Sequence, residues 1–526
     1  MSIPNTLILL AKYMDSEYNK HITFLCIIYI VTHFLLILNQ GLYWDDYTVF
    51  KIDHQSVVNN FSQSGMPFIG YYHNILSGLP HAILLYRCIV FVCYLISSLS
   101  LYSILYRLVW IDSSSRYFIA VLFTVLPLNT ARITLICSPY AICLASFYFA
   151  FYILALYLEK KIWYLRQLSI ILFFISFFTN SLLVFFALVP IYITYIELSS
   201  CSEKYYYKVF IKYMDYILLP LLFWFLKYWL MQTSGIFANY NKISTIHIIR
   251  SPYRLVSAIK HIVVDIVHVM SQVGLVYWLL LFVMCIIISL TTYRQTDYPP
   301  NKYLFSILIL GILSLVLGFF PYLAVGLWPQ VTSWGNRHLL LTPLGFSMII
   351  VAIVQLLIRK EVFHIFMVGI IGVMVLVQID SYLYFQQNWY TQLSIINNIR
   401  KNDVIRKNTT FRVVNKIHDD TQFTRYSFYK YTGMLKYAFK DETRFAEEVE
   451  KIVKFEEYGG IKKFINPTHS MSMYKPGPID CFVTITTSGA INDRIATLKL
   501  MFLEYTNNKQ FLYDIDKLVI VQAQPV

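Results

Sequence analysis

Apolar side chains run through the first 380 residues in blocks longer than a soluble core uses. They predict about eleven membrane-spanning helices, near residues 22–38, 81–106, 116–129, 139–158, 167–179, 181–196, 213–231, 273–292, 303–321, 338–357 and 362–380. A helix needs about 20 apolar residues to cross the hydrocarbon, where only helix formation satisfies the backbone polar groups. The third, fifth and sixth blocks fall short of that length, which suits spans that tilt, lie against protein, or end inside the bilayer.

The pattern changes after residue 380. Thr410-Phe411-Arg412-Val413-Val414, residues 481–486 and Leu518-Val519-Ile520-Val521 are rich in β-branched and aromatic residues and predict strands. Phe445, Val449, Ile452 and Val453 recur at helical spacing and predict an amphipathic helix over 443–457, stopped by Gly459-Gly460. Within the loop 232–272, Ile246 to Val269 mixes Arg250, Arg254, Lys260, His261, Asp265 and His268 with apolar residues near helical spacing and reads as interfacial helices. The expected fold is an all-α polytopic membrane domain over 1–380, with outer loops 39–80 and 232–272, followed by a soluble α/β domain over 381–526.

Composition narrows the class. Hydrophobic residues make up 57% and charged residues 14%, against roughly 45–50% and about 25% in soluble domains. This excludes a soluble enzyme, a disordered chain and a coiled coil. Residues 381–526 hold 20 of the 43 Lys and Arg and 15 of the 29 Asp and Glu, which sets the boundary near 380. The net charge of +14 reads as basic cytoplasmic segments meeting anionic lipid, and nucleic acid is not an expected partner because no basic domain stands apart. With the N-terminus inside, the inner segments carry 14 Lys and Arg and the outer loops 7. An odd span count then puts the C-terminal domain outside. The first block lacks a small-residue cleavage site and leads into an aromatic belt, so it reads as a span and not a signal peptide. The 8 cysteines form no CxxC pair and no metal spacing, so no disulfide framework is expected.

The candidate chemistry sits beside the first span. Asp45-Asp46, flanked by Trp44, Tyr43 and Tyr47, lies at the expected outer boundary. A carboxylate among aromatics and next to a second carboxylate has its pKa raised, which suits a general base; such a pair can also hold a divalent cation. Arg132, Arg337, Arg87 and Lys227 stand at or near outer ends of spans, where cations suit a lipid-linked phosphate. His338 follows Arg337 in a Trp-Gly-Asn-Arg-His run. His73 and His81 lie in a stretch that can pack opposite the carboxylates. Zinc at His261 and His268 is disfavoured because no third ligand stands at metal spacing. Walker, HExxH, GxSxG and Rossmann motifs are absent from the sequence.

This arrangement resembles the GT-C superfamily of membrane glycosyltransferases, and within it the bacterial O-antigen-modifying, serotype-converting glucosyltransferases. Tyr43-Trp44-Asp45-Asp46-Tyr47 resembles their first-loop acidic motif. The stretch from Leu126-Pro127-Leu128 through Ser138-Pro139-Tyr140 to Lys160-Lys161 resembles their third and fourth spans. The resemblance implies a bacterial inner-membrane enzyme, N-terminus cytoplasmic, that transfers a sugar with inversion from a polyprenyl-phosphate donor to a cell-surface glycan such as O-antigen. Glucose is the sugar it suggests. Asp46 would be the general base and Asp45 its positioning neighbour. Arg337, with Arg132, Lys227 and Arg87, would hold the donor phosphate, while His73, Trp44, Tyr47 and His338 would line the acceptor side or a lid. Membrane lipid, a donor synthase and a flippase are the further partners implied. A second acidic motif is not evident in this sequence, which leaves a divalent cation open. Two other readings are a polysaccharide polymerase, whose large loop usually lies later in the chain, and a lipid-linked saccharide flippase, which would show inverted repeats.

Overall fold

The computed structural model describes residues 5–50, 54–198, 206–238, 242–272, 274, 301–331, 333–417, 428–448, 478–487 and 493–526. The described chain is mostly helical with one small sheet. Its helices are α1 (Asn5–Leu38), α2 (His54–Gln63), α3 (Pro67–Gly78), α4 (Ala82–Tyr106), α5 (Ser113–Val125), α6 (Ser138–Lys160), α7 (Trp163–Ser176), α8 (Ser181–Phe185), α9 (Leu188–Leu198), α10 (Tyr206–Lys212), α11 (Met214–Leu230) and α12 (Thr245–Gln272). They continue with α13 (Asn301–Ala324), α14 (Thr342–Leu357), α15 (Lys360–Lys401), α16 (Asp403–Lys407), α17 (Phe428–Phe439), α18 (Arg494–Thr506) and α19 (Asn508–Asp516).

Five stretches among the described residues are long and apolar enough to cross a membrane: Glu17–Leu38, Ala82–Tyr106, Ser138–Lys160, Tyr303–Ala324 and Val362–Lys401. Shorter apolar helices lie at Trp163–Ser176, Ser181–Glu197 and Thr342–Leu357. The block expected at 273–292 lies outside the described residues but for position 274. On α1, Phe24, Ile27, Val31 and Phe34 are exposed along one helical stripe, as lipid-facing side chains are, while Leu25, Tyr29 and Leu36 are buried against the bundle. The stretch read as interfacial is a single helix, α12, which buries Ala258 and Ile262 and leaves Ile249, Tyr253, Val256 and Val263 exposed.

An unpaired polar group in an apolar interior is costly, and His33 is a buried polar side chain with both ring nitrogens paired. His33 Nε2 donates to the Thr124 carbonyl at 3.0 Å. Its Nδ1 then accepts from the Tyr382 hydroxyl at 2.8 Å. These two bonds tie α1 to α5 and α15.

The 42-residue α15 passes through residue 380 without a break. At 1.5 Å per residue it is about 63 Å long, twice the roughly 30 Å hydrocarbon core. Its second half turns polar, with Gln386, Gln387, Asn388 and Gln392, and carries the C-terminal segment. Tyr390 donates to Glu504 at 2.7 Å, and Arg494 meets Asp380 at 2.8 Å.

That segment contains a four-stranded sheet, β1 (Thr410–Asn415), β2 (Phe445–Glu448), β3 (Cys481–Thr487) and β4 (Val519–Pro525), in the order β2-β1-β3-β4. β1 pairs in parallel with β2 and β3, and β3 pairs antiparallel with β4. Strands form at the three β-rich runs. The helix expected over 443–457 does not form at its described start: residues 445–448 are strand β2, and Val449, Ile452, Val453 and Gly459-Gly460 lie outside the described residues. The partner decides this. Phe445 and Ala446 are buried against the sheet, and Glu447 stands directly opposite Arg412, paired at 2.7 Å. The Thr432 hydroxyl on α17 accepts from the Ala446 N–H at 3.0 Å. A helical pattern read along the chain cannot see these contacts.

Candidate functional site

Three one-turn helices meet at one end of the bundle: Trp44–Thr48 after α1, Thr130–Ile133 after α5, and Trp334–Leu339 before α14. The first is positioned by the loop that leads into it. Gly41 is required there, since a Cβ would lie 2.2 Å from the Tyr43 hydroxyl oxygen. The Arg87 guanidinium, fully buried on α4, donates to the Gly41 carbonyl at 2.8 Å and to the Asn39 carbonyl at 3.3 Å. Asn39 Nδ2 donates to Gln386 Oε1 at 2.8 Å, and the Tyr43 hydroxyl to the Phe385 carbonyl at 2.6 Å. The loop is therefore fixed to α4 and α15 before the acidic pair begins.

Trp44 adopts φ +45°, a left-handed conformation that costs a bulky residue about 1–2 kcal/mol. Its ring lies 4.8 Å from that of Trp334 and 5.6 Å from that of Phe385. The turn this produces sends the two aspartates in different directions. Asp46 is wholly buried. Its Oδ2 accepts from the Tyr43 N–H at 2.9 Å and its Oδ1 from the Ile136 N–H at 3.0 Å. Burial pushes its carboxyl up to about 7, against the pull of the Arg87 guanidinium and the N–H groups of Tyr43, Ile136 and Leu135. Asp46 thus ties the first turn to the segment after the second.

Asp45 remains partly exposed. Its Oδ2 lies 3.8 Å from Arg337 Nη1, with side-chain exposures of 26% and 20%. The Arg337 guanidinium lies over the Trp334 ring at 4.5 Å. Asn336 fixes the turn that presents it: its Oδ1 accepts from the Ala131 N–H at 2.9 Å and its Nδ2 donates to the Val331 carbonyl at 3.0 Å. An accessible carboxylate and an accessible guanidinium therefore face each other, bordered by two tryptophans. The carboxylate can take a proton and the guanidinium can hold an anion.

The other expected site residues divide around this pair. Arg132 is buried, donating to the Asn129 carbonyl at 2.7 Å with its guanidinium 4.3 Å over the Tyr94 ring. Arg87 faces the loop backbone from inside. Lys227 donates to Asn180 Oδ1 at 2.7 Å. Next to Asn180, Ser181 bonds the Tyr322 hydroxyl at 3.0 Å, and the Tyr322 ring lies 4.8 Å from that of His338. Lys227 is thus connected to the Arg337 turn through Asn180, its neighbour Ser181 and the packing of Tyr322 on His338. His338 is buried, and desolvation holds its imidazole down to about 3, with Arg337 adding to the effect. His73 packs between α3 and α4, its Nδ1 2.9 Å from the Tyr86 hydroxyl and its ring stacked on Phe61. Burial holds it down to about 3 as well. The Tyr47 hydroxyl donates to Gln392 Oε1 at 2.8 Å.

Trp334 and Asn336 belong to the Trp-Gly-Asn-Arg-His run but were not expected as site residues, and Gln386 and Gln392 lie outside every run singled out in the sequence. One signal was present for the glutamines: Tyr382, Phe385, Gln386, Trp389 and Gln392 recur at helical spacing, so they share one face of α15. Among the described residues no three His, Cys, Asp or Glu side chains stand close enough to hold a metal ion. Comparison with protein-family models, curated proteins and solved structures finds no match to this chain, so its functional reading rests on the geometry of the site.

Proposed function

We propose that this protein is a polyprenyl-phosphate-dependent glycosyltransferase of the GT-C kind. In this reading the shorter helices complete a set of about eleven spans, and residues 381–526 form an α/β domain on the outer face of a bacterial inner membrane. The observation that carries the reading is the Asp45–Arg337 pair, held 3.8 Å apart at the junction of three turns. Asp45, the exposed member of the acidic pair, takes the role of base, and the buried Asp46 positions the turn that presents it.

The acceptor hydroxyl gives its proton to the Asp45 carboxylate as its oxygen attacks the anomeric carbon. The bond from that carbon to the phosphate oxygen breaks on the opposite face, which inverts the configuration. The leaving group is a polyprenyl phosphate anion, so no strong general acid is required. Arg337 stabilises the negative charge that develops on it. Lys227, linked through Asn180 to the same region, supports the phosphate from the far side.

The test is consumption of a radiolabelled polyprenyl-phosphate glucose by the purified protein in proteoliposomes with a lipopolysaccharide acceptor. Transfer of label to the acceptor is expected. Movement of the labelled lipid across the bilayer without cleavage would instead make the protein a flippase.

A further inference from the structure

Beside the acidic turn, on the side of Tyr47 and Phe50, lies a cavity of about 330 Å³, within the range of small-molecule sites (about 300–1,000 Å³). One wall belongs to the loop that carries the aspartates: Leu42, Tyr47 and Phe50. The other belongs to the end of α17 and to α15, with Arg400, Lys436 and Lys440 and the Tyr437 ring. Close approach of the two walls depends on Gly433, where a Cβ would lie 2.4 Å from the Tyr47 ring.

The charge of this lining is unbalanced. Glu442 is its single carboxylate against three cations, and it pairs with Lys436 at 2.8 Å. Lys436 is 5% exposed, so a charge has been taken out of water to stand in this wall. Arg400 donates to the carbonyls of Ala438 and Tyr437, at 3.0 and 3.4 Å, which fixes its guanidinium beside the Tyr437 ring. Lys440 is exposed at the end of α17.

We infer that this cavity binds an acidic sugar of the acceptor glycan, a pyranose bearing a carboxylate or phosphate. The inference rests on the proposed glycosyl transfer, and it adds the chemical class of the acceptor. The apolar face of a pyranose ring suits the tyrosine and phenylalanine wall. The acid group suits the facing cations, with Lys440 and Arg400 able to reach it. Tyr47 belongs to both places: it lines the cavity and stands two residues from Asp45. A glycan seated here is anchored on the same short helix that carries the base, which lowers the entropy cost of presenting its hydroxyl.

The test is direct binding to the full-length protein in phosphatidylcholine nanodiscs, by calorimetry, without turnover. The probes are a glucuronate-containing oligosaccharide and its glucose counterpart. The acidic probe is expected to bind about tenfold tighter, the difference one charge-assisted hydrogen bond makes. Lys440→Glu and Arg400→Gln are expected to abolish the preference, and Lys440→Arg to keep it. Equal affinity for the two probes, or a preference that survives Lys440→Glu, would overturn the inference. So would its disappearance in nanodiscs containing phosphatidylglycerol, which would assign the cations to lipid headgroups. Asp45→Asn separates this inference from the catalytic one: it is expected to lose transfer and keep the binding preference. Full transfer by that variant would remove the catalytic reading and leave the cavity to be judged by binding.

Discussion

Replacing Asp45 by Asn tests the division of labour between the two aspartates. The carboxylate lies 3.8 Å from the Arg337 guanidinium. At an effective dielectric constant of about 20, two unit charges at that distance attract by about 4 kcal/mol. Both side chains reach solvent, so screening and hydration reduce the net contribution to about 1 kcal/mol or less. Asp45→Asn is also nearly isosteric and leaves Trp44, Trp334 and the backbone in place. The variant should therefore fold with a thermal midpoint within a few degrees of the parent. If Asp45 is the base, transfer from the lipid-linked donor should fall by about 10²–10⁴-fold. Asp46→Asn should show the reverse emphasis. It puts an amide NH₂ against the Tyr43 or Ile136 N–H, at a cost of about 1–3 kcal/mol. The assay is initial rate of label transfer in proteoliposomes, paired with a thermal-unfolding scan of the same preparations. An Asp45→Asn protein that is as active as the parent would refute the assignment. A protein that loses activity only because it unfolds would refute the energetic reasoning.

Further expectations follow from the same geometry. Arg337→Gln should lower kcat for transfer by about 10²-fold while Arg337→Lys retains part of it, because an ammonium keeps the charge and loses the planar fork; equal activity in the glutamine variant would remove Arg337 from phosphate stabilisation. Gly41→Ala should destabilise the protein by about 1–3 kcal/mol, since its Cβ would meet the Tyr43 hydroxyl. Gly78→Ala, with nothing within 4 Å, should change stability little; detergent-solubilised thermal midpoints distinguish the two. Stability should fall as pH rises from about 4 to about 7. Over that window the folded state keeps a proton on Asp46 that the unfolded state, at the ordinary carboxyl value of 3.8, has released. The loss is on the order of 4 kcal/mol across the window, and a midpoint-against-pH series with an unchanged slope in Asp46→Asn would contradict it.

The hydrophobic pattern alone marked a membrane protein, because a bilayer imposes a length of apolar helix that is written along the chain. It also marked the β-branched runs that became β1, β3 and β4, and it drew attention to an acidic pair at the end of the first span. Strand β2 was beyond its reach. Phe445 begins a run at helical spacing with Val449, Ile452 and Val453, and Arg412 and Thr432, brought up from elsewhere, hold residues 445–448 as a strand. The two aspartates look alike in sequence as well. Which one is buried depends on the Ile136 N–H, on Arg87, and on a left-handed Trp44 packed against Trp334, partners up to 290 residues away in the chain. Periodicity and composition are properties of neighbours in sequence, whereas the direction of a side chain at a turn is set by what approaches it through space. The chain order therefore determined the kind of protein and the place to look, and the tertiary packing decided which carboxylate is buried and which reaches solvent.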